Sequence, residues 1–84
     1  TSAVMVNTDN PYSVNLAQAY TEHVATLGGV VTPTLYYTMG VYQAVVDELQ
    51  TAAPAAVFLP DYDVSVNEIV GYARSQAIDA PFWR

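Results

Sequence analysis

The 84 residues carry eight carboxylates, two arginines, no lysine and no cysteine, for a formal charge of −6. That balance excludes nucleic acid as a partner, because gripping a phosphate backbone needs clustered cations. The missing thiols exclude a disulfide framework and a thiolate metal site. A chain of this length is one small domain or a piece of a larger one, burying only about 60–65% of its unfolded surface.

The chain opens on an apolar run, Ala3 to Val6, closed by the turn cluster Asn7-Thr8-Asp9-Asn10-Pro11. From Ser13, the residues Leu16, Ala17, Tyr20, Val24 and Leu27 recur every three or four positions. This predicts a helix of about four turns, stopped at Gly28-Gly29. Val30 to Tyr37 is β-branched and aromatic, which predicts a second strand, and Pro33, which lacks a backbone donor, assigns it to a sheet edge.

After Thr38-Met39-Gly40, the stripe Tyr42, Val45, Val46, Leu49 and Ala53 predicts a second helix that ends at Pro54. Ala55 to Leu59 reads as a strand covered on both faces, the kind a central parallel position requires. It stops abruptly at Pro60-Asp61-Tyr62-Asp63. Ser65-Val66-Asn67-Glu68 matches a capping box, so a third helix is expected from Ser65, with Val66, Ile69, Val70, Ala73 and Ala77 on its buried face. Pro81-Phe82-Trp83 reads as the entry to a fourth strand.

The alternation β-α-β-α-β-α-β with short connections is the pattern of an α/β domain with an open parallel four-stranded sheet. Right-handed crossovers and the edge position of the second strand give the order 2-1-3-4, with the first helix on one face and the other two on the opposite face. The winding reverses between the first and third strands. A crevice is expected there, lined by Asn7 to Tyr12 on one side and Pro60 to Asp63 on the other.

The candidate ligand-binding residues are therefore Tyr62, Tyr12, Asp61 and Asn10, each with a structural reading beside the functional one. Tyr62 caps the end of the sheet if no ligand meets it. Tyr12 suits a hydrophobic staple. Asp61 and Asp63 suit helix capping and the helix dipole better than catalysis, since no base, nucleophile or oxyanion donors accompany them. His23 has no second ligand at metal spacing and reads as solvated. Gly28-Gly29 lies at the wrong end of its helix for a phosphate, and no glycine-rich loop follows any strand, so no nucleotide cofactor is expected. Of the seven tyrosines, Tyr20 and Tyr42 fall on buried stripes, leaving Tyr36, Tyr37 and Tyr72 as candidates for the surface.

Four segments carry a resemblance: Asn10-Pro11-Tyr12-Ser13-Val14-Asn15-Leu16-Ala17, Leu27-Gly28-Gly29-Val30-Val31, Ala53 to Tyr62, and Ala73 to Phe82. In this order they resemble the C-terminal lobe of type I periplasmic solute-binding proteins of ABC importers, nearest to the branched-chain amino acid binders. The resemblance implies two α/β lobes closing on a small ligand, of which this chain is about half of one lobe, cut at both ends from something longer. It places Tyr12 and Tyr62 on cleft-facing loops. An acidic residue beyond Arg84 is implied to take the ligand's ammonium group, and the other lobe to hold its carboxylate. Val41-Tyr42 stands where the family carries Asp-Phe.

The expected function is thus a non-enzymatic binding module of a periplasmic or extracellular receptor, including a cell-surface lipoprotein. Its expected partners are an amino acid or similar small polar solute, the missing lobe and an ABC permease. The alternative is an assembly domain that self-associates through its sheet edges. A flavodoxin-like enzyme or a receiver domain ranks third, and a receiver would want a lysine that this chain lacks.

Overall fold

A computed structural model describes residues 2–83, so Arg84 and the reading of a severed carboxyl end lie outside the described residues. Four parallel strands form one sheet in the order β2-β1-β3-β4. They are β1 (Ser2–Asn7), β2 (Val31–Tyr37), β3 (Ala56–Phe58) and β4 (Phe82–Trp83), joined by helices α1 (Pro11–Thr26), α2 (Gln43–Ala52) and α3 (Asp63–Ser75).

The order follows from which strands tolerate water. Ala3, Val4 and Met5 of β1 are sealed on both faces, as a strand between two neighbours and two helical layers must be. Pro33 sits on the outer strand β2, where the edge can spare its missing donor. Two cores flank the sheet. Met5, Leu35, Val57, Val46, Leu49, Ile69 and Ala73 pack together under α2 and α3, whereas Val4, Val6 and Ala17 pack under α1 with Tyr20 stacked on Phe58. The face covered by α1 alone holds the smaller of the two cores.

The helix ends correct several sequence readings. Gly28 (φ 79°) follows the cap residue Leu27, with the Gly29 N–H donating to the Val24 carbonyl and the Gly28 N–H to Ala25. That paired closure is a Schellman motif, and glycine suits its left-handed residue. It swings Leu27 out of the stripe to 74% exposure, against the expectation of burial. Leu27→Ala is accordingly expected to change stability by no more than about 0.5 kcal/mol, measured by denaturant titration.

Helix α3 closes the same way, but the left-handed position holds Ala77 (φ 62°), with Ile78 N–H donating to the Ala73 carbonyl and Ala77 N–H to Arg74. Ile78 turns into the core and Ala77 turns out, so Ala77 does not belong to the buried face. Ala53, expected on the buried face of α2, is instead its left-handed cap (φ 48°) and exposed. Arg74 then ties the turn to the last strand, donating to the carbonyls of Ile78 and Ala80 with its guanidinium 5.4 Å from the Phe82 ring centre. The expected capping box at Ser65 is not used. Helix α3 begins two residues earlier, at Asp63, with Tyr62 at the cap position and no side-chain cap bond.

Candidate functional site

The carboxyl ends of β1, β2 and β3 open onto one surface, and the polar residues placed there are buried rather than wet. Asn7 and Ser13 are sealed, Asn10 nearly so, and Asp61 is 5% exposed. Burying a carboxylate is costly unless it is bonded on all sides. Asp61 is. Its Oδ2 accepts from Asn7 Nδ2 (3.1 Å) and the Tyr37 hydroxyl (2.5 Å), and its Oδ1 accepts from Asn10 Nδ2 (3.2 Å) and the Tyr62 N–H (2.8 Å).

Asn7 and Asn10 come from the end of β1 and its loop, Tyr37 from the end of β2 and Tyr62 from the loop after β3, so the carboxylate joins the ends of all three strands. Asn7 spends its other atom locally, its Oδ1 accepting from the Asp9 N–H at 2.9 Å, while its own N–H donates to Ser13 Oγ at 3.0 Å. Asn10 caps α1, with Oδ1 accepting from the Tyr12 N–H at 3.1 Å. One amide therefore fixes the start of α1 and also reaches across to the β3 loop. The Thr8 N–H donates to the Tyr37 carbonyl at 2.9 Å, and Asp9 Oδ2 accepts from the Met39 N–H at 3.0 Å, which pins the β2 end to the same loop. No buried side-chain polar atom among the described residues lacks a partner.

The electrostatics follow from this packing. Burial works to raise the Asp61 carboxyl, but the bonds from Tyr37, the Tyr62 N–H, Asn7 and Asn10 outweigh it and hold the group below its ordinary range. Burial, then the bond to Asp61 and its negative charge, push the Tyr37 hydroxyl far above the tyrosine range. Asp61 is thus a fixed anion and Tyr37 a fixed donor. Neither is poised to exchange a proton near neutrality.

Above this buried layer stand the two exposed tyrosines. Tyr12 is 56% and Tyr62 59% exposed, and their rings lie 3° from parallel with centroids 6.4 Å apart. Beside them runs a groove of about 720 Å³, bounded by Leu16 on the α1 side and by Pro60 and Val64 on the α3 side, with Asp61 and Asp63 at its lining.

All four candidate residues therefore come together, although Tyr12 opens α1 and Tyr62 precedes α3, far apart in the chain. Asn10 and Asp61 lie beneath and set the positions of Tyr12 and Tyr62, which hold the surface. Tyr12 is not a staple preceding the helix, because α1 begins at Pro11 and Tyr12 sits inside its first turn. His23 is exposed, as read.

Tyr37 is the residue that the sequence reading misplaced. Expected at the surface, it is 4% exposed and belongs to the core and the Asp61 network, while its neighbour Tyr36 faces out at 63%. Alternation along β2 was the available signal, since Leu35 and Tyr37 share one face. Tyr72 is half-buried, meeting Tyr42 edge-on at 6.0 Å, so it too is less of a surface residue than expected. Compared with protein-family models, curated proteins and solved structures, the chain matches none of them.

Proposed function

We propose that the chain is a non-enzymatic ligand-binding module, a portion of one lobe of an extracytoplasmic solute receptor that closes on a small polar molecule. An amino acid, delivered to an ABC-type permease or sensed, is the solute this reading favours. The observation that carries it is the pair Tyr12 and Tyr62, exposed side by side where the sheet reverses its winding. That is where open parallel sheets bind ligands. The buried network supports the reading, because pinned loops lose little freedom when a ligand arrives. It also argues against catalysis by Asp61, since each of its carboxylate oxygens already accepts two donors. Among the described residues no helix is long and apolar enough to cross a membrane. In this reading the chain lies outside the cytoplasm, and closure against a second lobe completes the site.

Calorimetry on the full-length polypeptide that carries this chain, with a panel of amino acids, tests the proposal. Binding is expected, and Tyr62→Ala is expected to weaken it by more than about 1 kcal/mol, with the 84 residues alone binding weakly. Failure of every solute, together with ordered oligomers formed through the outer strands β2 and β4, would favour the assembly reading instead.

A further inference from the structure

The geometry of the tyrosine pair goes further and, resting on the binding reading above, describes the shape of the ligand. We infer that the site receives a flat aromatic ring on a small solute, in preference to an aliphatic group of equal size. Tyr12 and Tyr62 belong to separate segments, yet their planes differ by only 3°. Both backbones are held by the buried layer, the Tyr12 N–H by Asn10 and the Tyr62 N–H by Asp61, so the fold sets the two rings side by side.

The pair can be extended by a third ring. Tyr12 and Tyr62 already form a parallel stack with centroids 6.4 Å apart, and both rings are more than half exposed, so a flat guest lies at about 3.5 Å on an outer face of the pair. Leu16, Pro60 and Val64 give the groove apolar walls against which the guest's edge is buried. An aliphatic group of the same area gains that burial, but a ring gains stacking in addition.

Charge narrows the class. Asp61 and Asp63 line the groove, and the chain carries a charge of −6. A phosphate-bearing ring therefore meets like charge at the site. The ligand's ring is uncharged or cationic.

The test is an NMR titration of the chain with L-phenylalanine, L-cyclohexylalanine and L-leucine, following the ring protons of Tyr12 and Tyr62. The first two probes share a backbone and nearly a size, and differ in whether the ring is flat. Phenylalanine is expected to move both tyrosines along one saturating curve, with a dissociation constant about tenfold lower than that of cyclohexylalanine. Tyr62→Leu, at an exposed position, is expected to abolish the difference between the two, and the comparison in the unaltered chain stands without it. Cyclohexylalanine or leucine binding as tightly as phenylalanine at these resonances would overturn the flat-ring inference and leave solute binding standing. No saturable shift with any of the three would likewise overturn the flat-ring inference, while solute binding itself is decided by the calorimetry on the full-length polypeptide.

Discussion

Asp61→Ala is expected to cost about 4 kcal/mol of stability, because it strands the Asn7, Asn10 and Tyr37 donors in a buried layer and releases the part-buried Tyr62 N–H. For a domain this small, whose whole stability is about 4–12 kcal/mol, much of the folded population is at risk. Denaturant titration would show it as a lowered midpoint. Asp61→Asn keeps the shape but sets an NH₂ against donors on one side, and a loss of about 3 kcal/mol is expected.

The same residue sets an acid limb of stability. Because the folded-state carboxyl lies below its ordinary 3.8, its contribution is fully present above that value and is lost as pH falls through the lower folded-state value. Wild-type stability should therefore decline as pH falls below about 4, and the Asp61→Asn variant should lose less over the same descent. A wild type and variant with parallel acid limbs would show that Asp61 is not held by its four donors.

Leu59→Ala is the second large effect. Leu59 is completely buried in the core beneath α2 and α3, two positions before Asp61. Removing its branched end leaves a cavity in a tightly connected segment, at a cost of about 3 kcal/mol. In a domain of this size that lowers the thermal midpoint by about 15 °C. The consequence reaches the site as well. Pro60, Asp61 and Tyr62 follow directly, so a relaxed Leu59 loosens the carboxylate that pins Asn10 and Tyr62. Combined with Asp61→Asn the two losses are expected to be non-additive, since the residues share one segment and its contacts. Calorimetric unfolding of the single and double variants reads this coupling, and simple additivity would place the two in independent structures.

What could be read in the chain and what could not separates along a physical line. Sheet order was legible because few local facts constrain it: Pro33 demands an edge, the run through Val57 demands cover on both faces, and right-handed crossovers do the rest. Hence Tyr12 and Tyr62 could be placed as neighbours. The buried polar layer was not legible, because a carboxylate beside a helix start looks the same whether it caps the helix or joins three loops. From the sequence Asp61 therefore reads as a ligand contact or a helix cap, and not as the junction of three loops. Tyr36 and Tyr37 are adjacent and chemically identical, so only strand parity separates the exposed ring from the buried one. The apolar stripes overrun the helix ends, by one residue at Leu27 and Ala53 and by two at Ala77. Two of these take a left-handed backbone on alanine, where the usual glycine signal is missing.

The proposed function rests on two segments acting as one surface above a shared anion. The most direct measurement is a nuclear Overhauser experiment on the chain, looking for contacts between the ring protons of Tyr12 and Tyr62. Cross-peaks between the two rings, weakened by Asp61→Asn, are what this arrangement requires. A folded chain with a dispersed amide spectrum and no contact between those rings would contradict it.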